Sequence, residues 1–231
     1  MILELGVGAA LLGGAAHGAF HRNSPIFGRP VRRLRAGGAQ RAVALTFDDG
    51  PNPDATPLIL DALAERGVKA TFFILGRHAE RWPDLVARVA AEGHSIGNHG
   101  YFHRKLHFKS PAYVRNDLEL GTAAIEQAAN VRPRLFRAPH GFRNPWVTPI
   151  ARSLGQRTVG WSLGVWDSDR PGIDAIAKRT VEGAKPGSIL LLHDGDGYDP
   201  EGDRTQTAHA VPLIVDRLHA AGYRFDLLDA G

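Results

Sequence analysis

The sequence predicts an α/β fold built on a parallel sheet, and three observations lead there. From about residue 40, short apolar runs alternate with amphipathic segments. The amphipathic segments carry helix start and stop signals. Strand–helix alternation of this kind implies parallel strands covered by helices. Seven strand segments point to a closed or nearly closed barrel, with a doubly wound open sheet as the alternative. Third, no GxGxxG or GxxxxGK[ST] run is present, which removes support for dinucleotide and P-loop sites.

The expected strands are 42–47, 70–75, 94–98, 134–137, 158–162, 188–192 and 223–228. Thr56-Pro57 reads as an N-cap followed by Pro at the first helical position. Leu58, Ile59, Ala62 and Leu63 share one face, and Gly67 closes that helix. Leu85, Val86, Val89 and Ala90 form the next apolar face, ending at Gly93. Ser110-Pro111 opens a third helix, with Val114, Leu118, Gly121 and Ile125 at helical spacing. Asn144-Pro145 repeats the start signal and Gly155 the stop. The last helix carries Val211, Ile214, Val215 and Leu218 and ends at Gly222.

The chain has 231 residues, enough for one sizeable core, and 43% of them are hydrophobic. One domain over 36–231 is the simplest division, preceded by an apolar segment and basic linker over 1–35. There is no cysteine, which excludes disulfides, thiolate-bound zinc and thiol catalysis. The net charge of +4 suits an anionic partner. The basic residues are scattered apart from Arg29, Arg32, Arg33 and Arg35, so a nucleic-acid partner is not expected. Residues 1–20 are apolar but rich in Gly and Ala, broken by His17, and lack a positive n-region. They read as a weak membrane anchor, an atypical signal or a packed helix. The cell envelope or a membrane surface is the favoured location, with a cytoplasmic one as the alternative. Oligomeric state leaves no trace in the sequence.

In parallel α/β folds, chemistry collects at the carboxyl ends of the strands. Asp48 and Asp49 follow the first expected strand, and His99 and His103 the third. Arg137 ends the fourth, Asp167 follows the fifth and His193 the sixth. Distant segments therefore deliver ionisable groups to one rim. Adjacent Asp48 and Asp49 repel unless something positive joins them. His99 and His103 are four residues apart, which on a helical turn places both rings on one side. Two imidazoles and one carboxylate can hold a divalent cation while leaving positions open. His94 lies at the opposite end of its strand, where a structural role is expected. The run DGDGYDPEGD lacks the spacing of a calcium loop and reads as a solvated loop.

TFDDGP at 46–51, HGYFH at 99–103, RAPHG at 137–141, WSLGVWDSD at 161–169 and LLLHD at 190–194 occur in a particular order. In that order they resemble the NodB-homology polysaccharide deacetylases, carbohydrate esterase family 4, over about residues 40–228. The resemblance implies a distorted (β/α)7-type barrel with parallel strands in a single catalytic domain. It implies a metal-dependent hydrolase removing N-acetyl groups from an amino-sugar glycan. It makes Asp49, His99 and His103 the ligands of a divalent cation, zinc foremost, with cobalt, nickel or manganese as alternatives. Asp48 becomes the general base with Arg137 beside it, and His193 the general acid oriented by Asp167. His140, Gly141, Trp166 and Leu191 become substrate-binding residues. Gly100, Arg104, His140, Gly164 and Ser168 depart from the family's commoner residues, so the substrate-facing wall need not follow the commoner members. Two further readings stand beside this one. One is deacylation or deformylation of a lipid-linked amino sugar; the other is a non-catalytic carbohydrate-binding relic.

Overall fold

The run RAVALTFD forms β1 (Arg41–Asp48), and every residue in it after Arg41 is buried. Such a strand must be covered on both faces and paired on both edges. The computed structural model, which describes residues 13–14, 16–34 and 41–228, shows how this is done. One edge of β1 pairs with β7 (Ser188–His193) along Val43 to Asp48. The other edge is shared: β8 (Tyr223–Phe225) takes Arg41 to Val43 and β2 (Thr71–Ile74) takes Thr46 to Asp48. Outward from β2 lie β3 (Ser95–Asn98), β4 (Leu135–Phe136) and β5 (Arg157–Thr158), and outward from β7 lies β6 (Leu163–Gly164). All these pairings are parallel. The terminal strands β5 and β6 are consecutive in the chain, so the sheet curls into a distorted barrel with its seam between them.

The helices are α1 (Ala55–Glu65), α2 (Gly76–Arg81), α3 (Pro83–Ala91), α4 (Pro111–Ala129), α5 (Val147–Ser153), α6 (Ile173–Gly183) and α7 (Thr205–Ala220). Side chains alternate along β1. Val43, Leu45 and Phe47 face the helices and join Ile59, Leu63, Val211 and Ile214 in the main core. Ala44 faces the barrel interior with Phe73, Leu135 and Ile189. Thr46 and Asp48 continue that inward row, so the period of the strand carries Asp48 to the barrel mouth.

Several expectations shift. The single strand expected at 158–162 is instead β5 and β6, separated by the seam. Residues 31–34 cover that seam: Val31 bridges Val159, Arg33 bridges Ser188, and Gly160 N–H donates to the Val31 carbonyl at 2.8 Å. Helix α6 was not expected; it buries Ile176, Ala177 and Thr180, too few apolar positions to stand out behind WDSDRPG. Ser110 does cap α4, its hydroxyl accepting from Tyr113 N–H. Thr56 does not cap α1. The amides at the start of that helix, Asp54 and Ala55, donate to Asn52 Oδ1, while the Thr56 hydroxyl is drawn to Asp194 Oδ2 at 2.7 Å. Asn144 is likewise taken up by the Leu106 and Lys109 carbonyls, and α5 starts at Val147. A tertiary partner takes the Thr56 hydroxyl from the cap, whereas Asn144 serves both, its Oδ1 still accepting from Trp146 N–H at 3.3 Å. Of the apolar segment expected at 1–20, residues 1–12 and 15 lie outside the described residues, as does the boundary at 35/36. Among the described residues no helix is long and apolar enough to cross a membrane.

Candidate active site

At the mouth of the barrel, the ends of β1, β3, β4 and β7 open into a cleft of about 600 Å³. Asp48 closes the inward row of β1 and is 3% exposed. Its Oδ1 accepts from Arg137 Nη1 at 2.6 Å. Arg137, on the residue after β4, is wholly buried inside the barrel with its guanidinium 4.0 Å from the Phe73 ring centroid. It also donates to Thr46 Oγ1 at 2.9 Å and to the Gly160 carbonyl at 3.0 Å. A buried guanidinium is tolerable only when paired and hydrogen-bonded, and Arg137 is both. Burial still lowers its affinity for its proton, with Asp48 opposing that shift.

Asp49 sits one residue on in a left-handed conformation, φ 73°. That twist turns its carboxylate away from Asp48 toward the histidines. Its Oδ1 lies 3.2 Å from His99 Nε2 and 3.1 Å from His103 Nε2. Donor atoms of all three fall within 4.8 Å of one another, and all three residues are buried. The HxxxH pair is not helical, contrary to the expectation. Gly100 and His103 both have positive φ, and this irregular loop brings the ring centroids to 5.5 Å. Of six non-glycine residues with positive φ among the described residues, four line the cleft: Asp49, His103, His140 and Trp166. Backbone strain of this kind persists where surrounding structure holds it.

The donor set fits a divalent cation. His99 Nδ1 is 2.8 Å from the Arg137 carbonyl, which can only accept. Nδ1 therefore carries the hydrogen, and Nε2 in the neutral ring presents a lone pair to Asp49. Asp49 Oδ1 is a buried acceptor without a hydrogen-bond partner. Acceptors aimed at one another repel unless a cation stands between them. The electrostatics agree. Burial would lower His99, and the Asp48 and Asp49 carboxylates reverse that, drawing positive charge to the site. Burial would raise the Asp49 carboxyl, and its attraction to His103 and His99 holds it well below the usual range.

His193 ends β7, in register with Asp48 on β1, with its ring partly open to the cleft. Its Nδ1 lies 2.9 Å from Asp167 Oδ1, and its backbone N–H donates to Asp167 Oδ2 at 2.8 Å. Thr207 Oγ1 donates to the same Oδ2 at 2.9 Å. Burial opposes a charge on His193, but the Asp167 carboxylate dominates and lifts the imidazolium to about 9. Asp48, Asp49, His99, His103 and His193 thus line one space, with Arg137 and Asp167 buried behind Asp48 and His193. His140, Trp166 and Leu191 line it, and so do Gly164 and Ser168. Gly141 is buried below the wall, beneath Arg22 and Trp161. His94 stays away from the cleft and accepts from Ala70 N–H through Nδ1.

The family model described as Polysaccharide deacetylase matches residues 35–159. The chain belongs to the polysaccharide deacetylase family. It is a hydrolase of carbon–nitrogen bonds other than peptide bonds, and its fold is the family's distorted barrel. A chitooligosaccharide deacetylase of Rhizobium leguminosarum bv. trifolii is 42% identical over 195 residues, 81% of this chain and 90% of the relative. A peptidoglycan-N-acetylglucosamine deacetylase of Bacillus cereus is 40% identical over 191 residues, 80% of this chain and 85% of the relative. A solved peptidoglycan N-acetylglucosamine deacetylase superposes with a TM-score of 0.78 at 33% identity, over 84% of this chain and 89% of that one.

Other residues around this deacetylase site carried no motif signal. His78 is wholly buried and its Nδ1 lies 2.8 Å from the Asp49 carbonyl. Burial pushes its imidazole down to about 4, so Nδ1–H is the donor that holds the Asp49 turn. Asp117 of α4 accepts from Phe102 N–H, and a Cβ at Gly100 would meet its Oδ2 at 2.4 Å. The glycine departure at 100 therefore belongs with this carboxylate, which braces the loop between the two histidines. The expected solvated loop is in fact a wall of the cleft, through Asp196, Gly197 and Tyr198. Arg204 fixes it by donating to Gly195 O and Asp196 Oδ2. A Cβ at Gly197 would meet His103 Nδ1 at 2.0 Å. Gly197→Ala should consequently displace His103 and weaken cation affinity by roughly 10–100-fold. Competition with a chelator measures this; unchanged affinity would free His103 from that support.

Proposed function

We propose that Asp49, His99 and His103 hold a divalent cation and that Asp48 and His193 act as base and acid in removing acetyl groups from N-acetylated amino-sugar glycans. The observation that carries this reading is the placement of a carboxylate held by Arg137 and an imidazole held by Asp167 beside one nitrogen-and-oxygen donor set. Zinc suits that set, and cobalt, nickel and manganese share its ligand types. Such a cation polarises the acetyl carbonyl and acidifies water.

The rest of the chemistry falls to the chain. Asp48 takes a proton from the attacking water as its oxygen bonds to the acetyl carbon. Arg137 aims Asp48 through the 2.6 Å hydrogen bond between them and supplies its counter-charge. The backbone N–H of His140 supplies a fixed donor for the oxyanion of the tetrahedral intermediate. The C–N bond breaks as His193 passes its proton to the departing nitrogen, yielding acetate and the amine. Asp167 holds Nδ1–H, which leaves Nε2–H to donate. Leu191, with Val165 and Trp161, offers an apolar recess for the acetyl methyl, and the exposed Trp166 face suits a sugar ring. Similarity to deacetylases named for chitooligosaccharides and for peptidoglycan N-acetylglucosamine supports this substrate class.

Purified protein should release acetate from such a glycan, lose that activity with a chelator and regain it with zinc. Release that persists after complete metal removal would refute the cation's role. The pH dependence follows from His193. It donates only when protonated, so turnover falls as pH rises through a limb at or below about 9. The bound cation's own charge opposes protonation. Asp167→Asn removes the main influence raising this histidine, and the alkaline limb should move down by roughly 1–3 pH units. A limb that stays in place in the kcat profile would separate it from His193.

A further inference from the structure

Residues 16–28 precede the family match and form a strap over one end of the cleft, to which Phe20, His21 and Arg22 contribute wall. The strap is held by specific contacts. The buried Arg143 guanidinium donates to the carbonyls of Ser24 at 2.7 Å, Gly28 at 3.0 Å and Phe27 at 3.3 Å. Asn23 Nδ2 donates to the Trp161 carbonyl, and Thr148 Oγ1 to that of Phe27, each at 2.8 Å. A Cβ at Gly141 would meet the Arg22 Cβ at 2.6 Å, so the glycine of RAPHG is the seat on which Arg22 rests.

Charges lining the cleft are otherwise matched. Asp48 pairs with Arg137, Asp196 with Arg204 and His193 with Asp167, while Asp49 faces the two histidines. Arg22 has no carboxylate partner among the described residues. Its guanidinium lies 5.4 Å from the Trp161 ring centroid, a stacking that orients it. Beside it, Phe20 is half exposed and propped edge-on by His107, Phe108 and Phe142. We infer that the strap is a specificity element: Arg22 receives a carboxylate carried by the glycan, and Phe20 offers an apolar face to the same unit. This inference rests on reading the cleft as a glycan site. It selects an acidic N-acetylated glycan over a neutral one.

Binding can be measured without turnover in full-length, zinc-loaded Asp48→Asn protein by titration calorimetry. The probes are a neutral β-1,4-linked N-acetylglucosamine tetramer and a tetramer of equal length bearing lactyl-ether carboxylates on alternate sugars. The acidic tetramer should bind roughly fivefold more tightly at low salt, the upper range for an accessible ion pair. That preference should shrink as salt is added. It should vanish in Asp48→Asn/Arg22→Gln protein and persist in part with Arg22→Lys. Equal binding of both tetramers, a preference that survives Arg22→Gln, or no binding of either would overturn the inference. A parallel acetate assay on wild-type protein separates the two readings. Release without an acidic preference sinks only the strap, and an acidic preference without release sinks only the deacetylase chemistry.

Discussion

Asp48→Asn should lower kcat by roughly 10²–10⁴-fold, the usual worth of a positioned base, while cation content stays at the wild-type level. Asparagine keeps the shape and one acceptor oxygen, so Arg137 Nη1, now 2.6 Å from Asp48 Oδ1, retains a hydrogen bond. What disappears is the charge. Arg137 is wholly buried, and its only carboxylate partner among the described residues is Asp48. Breaking such a pair costs about 3 kcal/mol or more, because one charge remains without its counter-ion. The variant's melting temperature should therefore drop by roughly 6–12 °C for a chain of this size. The two effects are separable. Metal analysis and circular dichroism below the new midpoint report on the fold, and acetate release reports on the base. A folded, cation-loaded Asp48→Asn protein with near wild-type kcat would remove Asp48 from the proton transfer.

His193→Gln should also cost roughly 10²–10⁴-fold in amide hydrolysis, and here the leaving group provides the decisive control. An amine departs only with a proton, whereas an activated phenolate departs without one. An aryl acetate ester should thus be hydrolysed by His193→Gln within about tenfold of wild type, the loss being confined to the step that general acid catalysis serves. Equal losses on amide and ester would point instead to a collapse of the site. The stability loss in this variant depends on pH. His193 is raised in the folded protein, so its pairing with Asp167 stabilises at low pH and is lost as pH rises through about 9. The wild-type and His193→Gln melting temperatures should accordingly converge under alkaline conditions.

The parallel α/β class was legible in the chain because it is written in local periodicity. β1 is apolar throughout, and the amphipathic faces of α1, α3, α4 and α7 repeat at helical spacing. The rim carrying Asp48, Asp49, His99, His103, Arg137 and His193 was legible for a related reason. Each of these residues follows an apolar strand, and parallel strands end together. Helix α6 escaped notice because its buried face is only Ile176, Ala177 and Thr180, and β6 because two residues are too few to show a period.

Other features depend on atoms that meet across long stretches of chain, and no local pattern encodes such meetings. The left-handed turn at Asp49 sends adjacent carboxylates to different partners, Asp48 to Arg137 and Asp49 to the two histidines. The HxxxH pair converges through an irregular loop braced by Asp117 and not through a helix. His78 and Gly197 support the donor set from segments that carry no motif. The strap over Gly141 owes its place to Arg143, whose buried guanidinium collects carbonyls more than a hundred residues away in sequence. Burial removes water from these polar groups, so each must find a partner wherever the fold supplies one. Hydrophobic spacing writes the scaffold into the sequence; the satisfaction of buried polar atoms, which is decided only in three dimensions, shapes the site.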